Sequence, residues 1–248
     1  MKKSQREKHE FAIFTHEVDR LTNVSQTYTL AEKELVHRLG AIIRVDVGDS
    51  LVLFNTTDHV TCHVVVVTKK EVMVKLGDRT SNKGVAPQII WCLPILEREG
   101  FEEALAVLTA MGANEIYPII TEKSRQQWGN QKDHERAQRI MIAACEQSKQ
   151  FVLPRLHATQ RLPEALAHLH GTKIFFDALG GDAYEMITQC KASKAAPFIF
   201  LIGPEGDLTA VEKKMVAEDG FVACRLTPTI LRAYHAVTVG MGLVRSLL

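Results

Sequence analysis

The chain lacks most of the features that assign a protein at a glance. It has no excess of charge: 30 Lys and Arg stand against 29 Asp and Glu, a formal net charge of +1. That excludes a strongly basic nucleic-acid coat and leaves room for a local basic patch only. No apolar run reaches the ~20 residues of a membrane span, and no apolar stretch of a signal sequence follows the basic N-terminus. The expectation is a cytoplasmic protein with no membrane partner. Its cysteines, Cys62, Cys92, Cys145, Cys190 and Cys224, are odd in number and never spaced C-x-x-C. This speaks for reduced thiols and against zinc. The histidines show no ligand spacing either, so no metal is expected. There is no Walker sequence, no G-x-G-x-x-G after a strand, no repeat and no heptad pattern.

What is present begins with a hydrophobic content of 46%, enough for a real core. The most informative stretch runs from Phe198 to Leu248. Phe198–Ile202 is continuously apolar, as a buried parallel strand would be. It breaks into Gly203-Pro204-Glu205-Gly206, a loop suited to close backbone approach. Thr209 and Glu212 have the T-x-x-E spacing of a capping box, which starts a helix at about Ala210, and Gly220 stops it. A second strand, Phe221–Leu226, ends in Thr227-Pro228-Thr229-Ile230-Leu231-Arg232. Ala233–Leu248 is apolar on nearly every face, the pattern of a buried helix. Ligands of open α/β sheets sit outside the carboxyl ends of the strands.

The N-terminal part reads differently. After a loose polar start, Phe11–Phe14 and Ser50–Phe54 are strand-like. Ala31–Leu39 is a short helix candidate closed by Gly40. His59–Val67 and Glu71–Leu76 are strands turned by Lys69-Lys70. Short strands and tight turns predict a small β-barrel over 1–80. The polar stretch Asp78–Pro87 marks a boundary. Over 87–248 strands and helices alternate, with strands near 89, 115, 173, 198 and 221, which predicts an α/β domain. Helices are predicted over Phe101–Met111, Asp133–Ser148 and Leu162–Leu169.

The order strand, GPEG, capping box, helix, strand, ILR and apolar helix resembles the RsmE family, SPOUT-class methyltransferases of ribosomal RNA. Further matches are Glu122-Lys123-Ser124-Arg125 to the family's T-E-R-S, Ala143 to Ser148 to its A-A-E/C-E-Q-S, and Pro154-Arg155 beyond. His37, Arg38 and Arg44 fall on its H-H-x-x-V-L-R-like segment. The chain also departs from the family. Asp207 replaces the second glycine of the GG pair, and Thr227 and Thr229 replace a glycine and an arginine. Tyr234-His235 stand for Glu-Thr, and Val107 and Ala110 for a lysine and an acidic residue.

The resemblance implies a SPOUT-type trefoil-knotted C-terminal domain beside a PUA-like β-barrel, acting as a homodimer. It implies S-adenosylmethionine as cofactor and N3 of a uridine in small-subunit ribosomal RNA, or in the assembling subunit, as acceptor. The implied cofactor site comprises Phe176, Asp177, Ile202, Gly203, Glu205, Gly206, Leu226, Ile230 and Leu231. Glu205 is read as fixing loop N–H groups, and Glu146 and Gln147 as tying their helix to a loop. Removing the N3 proton needs an acceptor and a stabilised anion. Arg232 is the candidate for polarising the base or binding its phosphate, and His235, as neutral imidazole, for taking the proton. The RNA-contact candidates are Arg38, Arg44, Lys69, Lys70, Lys123 and Arg125. Given the departures, two alternatives stay open: a degenerate SPOUT protein that binds RNA or an assembly partner, and a methyltransferase with another RNA target.

Overall fold

The computed structural model describes residues 10–21, 26–124, 128–193 and 197–248. The chain forms two compact units. One is Met1–Lys83 together with Cys145–Val152, and the other is Gly84–Ala144 together with Leu153–Leu248. The polar stretch around Lys83 therefore divides the chain, and the short segment after Ala144 lies with the first unit.

The first unit holds a five-stranded sheet: β1 (Glu10–Phe14), β2 (Thr27–Leu30), β3 (Ser50–Phe54), β4 (Asp58–Val67) and β5 (Val72–Ser81), in the order β1-β3-β4-β5-β2. β1 pairs parallel to β3, and the other ladders are antiparallel. Along β4, Val60, Cys62 and Val64 are buried and the residues between them exposed, the period-2 signature of a sheet with one covered face. The helix expected over Ala31–Leu39 is corrected. α1 spans only Lys33–His37 and continues as a π-turn over Arg38–Ile43. Gly40 lies inside that turn instead of ending it, and Arg44 takes the left-handed position, with φ 61°. The wider i→i+5 winding carries the chain past the glycine.

The second unit is a sheet of seven strands with helices on both sides. Its elements are β6 (Ile89–Pro94), α2 (Arg98–Ala110), β7 (Glu115–Ile120), α3 (Gln131–Ser148), β8 (Arg155–Leu156), β9 (Gln160–Arg161), α4 (Leu162–Leu166), β10 (Thr172–Asp182), α5 (Ala183–Ser193), β11 (Phe198–Ile202), α6 (Ala210–Glu218), β12 (Val222–Arg225) and α7 (Ala233–Leu247). The strand order is β12-β10-β11-β6-β7-β8, every pairing is parallel, and β9 also pairs with β7. β6 and β11 are buried at every position, as their unbroken apolar sequence requires. Trp91, Phe176, Phe198 and Phe200 stack along the middle of the core.

Two close approaches set the C-terminal half. A Cβ at Gly180 would lie 2.3 Å from the Cys224 nitrogen and 2.5 Å from the Ala223 oxygen, so only glycine lets the end of β10 pass β12 this closely. A Cβ at Gly240 would lie 2.8 Å from the Phe176 ring, which is how α7 reaches the sheet. α7 is less enclosed than its composition predicts. Ala233, Val237, Gly240, Met241 and Val244 are buried, but His235, Thr238, Val239 and Ser246 are exposed. Its far end is held by Arg245, which donates to the carbonyls of Met111 (3.0 Å) and Pro87 (3.1 Å) and to that of Gly112. No helix among the described residues is long and apolar enough to cross a membrane.

Candidate functional site

The loops after β11 and β12 and a bulge in β10, which breaks its pairing with β12 between Phe176 and Gly181, lie on one side of the second unit. Between them lies a cavity of about 1090 Å³. Its walls include Phe176, Asp177, Ile202, Gly203, Glu205, Leu226, Ile230 and Leu231, so eight of the nine expected cofactor residues meet there. The ninth, Gly206, faces a neighbouring small pocket with Glu97 and Lys123. The first two turns of α2 and the start of α7 close the remaining side, through Glu99, Gly100, Glu103, Arg232 and Tyr234.

The loop after β11 is fixed from several directions. The capping box forms: Thr209 Oγ1 accepts from the Glu212 N–H at 3.2 Å and Glu212 Oε2 from the Thr209 N–H at 2.9 Å. Glu212 is buried, and its other oxygen accepts the Glu122 N–H at 2.8 Å. Glu205 accepts the Glu97 N–H at 3.0 Å, tying the loop to the start of α2. Lys123, expected to face RNA, donates to the Gly206 carbonyl at 2.7 Å.

Asp207 resolves one departure from the family pattern. It sits at φ 59°, the conformation a glycine would take without strain, which aspartate tolerates better than most residues. Its carboxylate accepts the Leu208 N–H at 2.7 Å and meets the Lys213 ammonium at 2.7 Å. Lys213 also donates to Asp177 at 2.6 Å, and Asp177 accepts the Leu179 N–H at 2.8 Å. Burial opposes ionisation of Asp177, yet the ammonium and the N–H outweigh it and hold the carboxyl below its usual range. Burial likewise disfavours the charge on Lys213, and the two carboxylates more than reverse this.

The two catalytic candidates part company. Arg232 is the N-cap residue of α7 and lines the cavity. His235 is exposed one turn on, outside the lining, and its neighbour Tyr234 occupies the wall instead. The helical twist explains the difference, since successive residues point about 100° apart. Tyr234 lies over Gly100 of α2, where a Cβ would be 3.2 Å from its ring. Of the other RNA candidates, Arg38 pairs with Glu146 inside the first unit, and Glu146 also accepts the Phe14 N–H at 2.8 Å. Lys69 and Lys70 are exposed in the β4–β5 turn. Arg125 lies outside the described residues.

Sequence reasoning missed Lys213 and the α2 wall. An aspartate at a glycine position was the available sign that a compensating cation was near. Nothing local to 97–103 marks those residues as a wall, because α2 is brought there by the sheet.

A family model described as RNA methyltransferase domain matches residues 85–245. The "Ribosomal RNA small subunit methyltransferase E" of Synechocystis is 28% identical, over 91% of this chain and 75% of its own length. That of Bacillus subtilis is 23% identical, over 85% and 86%. A crystal structure of a ribosomal RNA small subunit methyltransferase E from Neisseria gonorrhoeae, bound to S-adenosyl methionine, superposes with a TM-score of 0.82 at 23% identity, covering 96% of this chain and 98% of that one. The shared fold is the SPOUT-type knotted α/β fold with a small N-terminal β domain.

Proposed function

We propose, starting from the fact that this chain belongs to the RNA methyltransferase domain family, that it is an S-adenosylmethionine-dependent enzyme methylating N3 of a uridine in small-subunit ribosomal RNA. The single observation that carries this reading is the cavity between the bulge of β10 and the loops after β11 and β12. It has the size and mixed lining of a small-molecule site. Its rim exposes Leu179 and Ile230, at 93% and 88%, apolar surface that a bound ligand would cover. Phe176, Ile202, Leu226 and Leu231 offer apolar walls to an adenosine, and the loop backbones offer N–H and C=O groups to its edge. When bound, S-adenosylmethionine supplies a methyl group made electrophilic by the attached sulfonium.

The chain's own residues must do the rest. The loops hold donor and acceptor in line, which is the larger part of such catalysis. Arg232, exposed at the mouth of the cavity, places a fixed positive charge where the uracil anion develops as N3 loses its proton. Lys69 and Lys70 present charge for the phosphate backbone, and Arg44 adds a guanidinium at the end of the π-turn. The carboxylates of α2 beside the cavity favour entry of the base over entry of the phosphates. The reading also comprises a homodimer and a cytoplasmic location. Calorimetric titration with S-adenosylmethionine, and mapping of N3-methyluridine on ribosomal RNA from cells with and without the protein, test it. One modified position that vanishes without the protein is the expected result. Unchanged maps would overturn the assignment of the acceptor.

A further inference from the structure

We propose that Lys213 is a positioning residue for the methyl donor: with Asp177 and Asp207 it forms an ionic clasp that fixes the spacing between the bulge of β10 and the loop after β11. The inference rests on the reading of the cavity as the S-adenosylmethionine site.

The three residues come from separate places in the chain. Asp177 lies just beyond the apolar part of β10, Asp207 in the loop after β11, and Lys213 in the second turn of α6. All three line the cavity. One ammonium meets both carboxylates, at 2.6 and 2.7 Å, so the bulge of β10 and the loop leaving the adjacent strand β11 are joined through a single side chain. Each carboxylate also organises its own loop. Asp177 accepts the Leu179 N–H, and Asp207 the Leu208 N–H. The Asp207 N–H closes the turn onto the Pro204 carbonyl at 2.9 Å. Asp207 also covers Gly203, where a Cβ would lie 3.0 Å from the Asp207 carboxylate.

Exposure ranks the two halves. The Asp177 side chain is 10% exposed and that of Asp207 57%, so the Asp177–Lys213 half is the stronger and the Asp207 half is screened by water. Removing the ammonium leaves two ionised carboxylates facing one another across the gap they now close, and the loops move apart. α6 itself does not depend on Lys213, because the capping box holds its start. Loss of the clasp therefore acts on donor affinity and not on the chemical step, which none of the three residues touches.

The experiment compares the full-length wild type with Lys213→Met, Lys213→Arg and the double variant Lys213→Met/Asp207→Gly. It uses calorimetric titration with S-adenosylmethionine and steady-state methylation of ribosomal RNA lacking the modification. Lys213→Met is expected to weaken donor binding roughly tenfold, within the range of coupling between contacting charged residues. Its KM for the donor should rise in step, with kcat within about twofold of wild type. Lys213→Arg should keep most of the affinity. The double variant should regain part of the loss, because one of the two unneutralised carboxylates is gone and glycine suits φ 59°. Wild-type affinity in Lys213→Met overturns the clasp. So does a Lys213→Arg variant as weak as Lys213→Met, or loss of the folded circular-dichroism spectrum in Lys213→Met. Absence of donor binding by the wild type would instead overturn the reading of the cavity, and the inference with it.

Discussion

Arg232 and His235 are three positions apart and meet different surroundings. Arg232 precedes the first turn of α7 and faces the cavity, whereas His235 is turned toward solvent. A general base must come within hydrogen-bond reach of the proton it takes, and the imidazole of His235 is exposed, outside the lining. Arg232→Ala is therefore expected to lower the single-turnover methylation rate roughly a hundredfold, the scale for one electrostatic donor to a developing anion. His235→Ala is expected to stay within about threefold of wild type, because the residue is exposed and outside the cavity lining. Rapid-quench measurement on the same RNA checks both. A large loss in His235→Ala alone would return the imidazole to the chemistry. The motif could show that Tyr234 and His235 were unusual, but not which of them faces the cavity.

At the scale of the element, α7 couples packing to the site. Gly240 brings the helix onto Phe176, and Phe176 is a wall of the cavity. Adding one methyl group at Gly240 places it 2.8 Å from a buried ring that packs against both Trp91 and Phe200. Gly240→Ala would raise helix propensity on its own, but overpacking of this kind costs about 1–3 kcal/mol and wins. The expected outcome is a melting temperature lower by about 2–4 °C for each kcal/mol, with weaker S-adenosylmethionine binding as Phe176 shifts. Differential scanning calorimetry and titration of the same sample check it, and an unchanged or higher melting temperature would show that the ring can yield.

At the scale of the molecule, the second unit leaves apolar surface uncovered away from the cavity rim, at Val211, Val222 and Val239. Val239 lies on the exposed side of α7, beside Thr238. A second copy of the chain would cover such surface in the proposed homodimer. Light scattering at micromolar concentration is expected to give about twice the mass of one chain. A monomer mass at that concentration would leave α7 with a solvated outer face, as its exposed Thr238 and Ser246 permit.

The sequence by itself determined the elements whose signals are local. Unbroken apolar runs became the buried strands β6 and β11, Thr209 and Glu212 became the capping box, and Gly220 closed α6 at φ 88°. Eight of the nine residues that the family resemblance implied for the cofactor lie in the wall of one cavity. Tertiary structure decided the rest. The π-turn that carries the chain through Gly40 has no local signal, because a glycine after an apolar stripe reads as a helix stop. Arg38 turned from a surface charge into the partner of Glu146, more than a hundred residues away, where no periodicity links them. Lys213 joined Asp177 and Asp207 because the parallel sheet sets Phe176, at the start of the β10 bulge, beside Ile202, at the end of β11. Which side of α7 faces the cavity was fixed by Gly100 and Gly240, whose missing side chains let Tyr234 and Phe176 lie where they do.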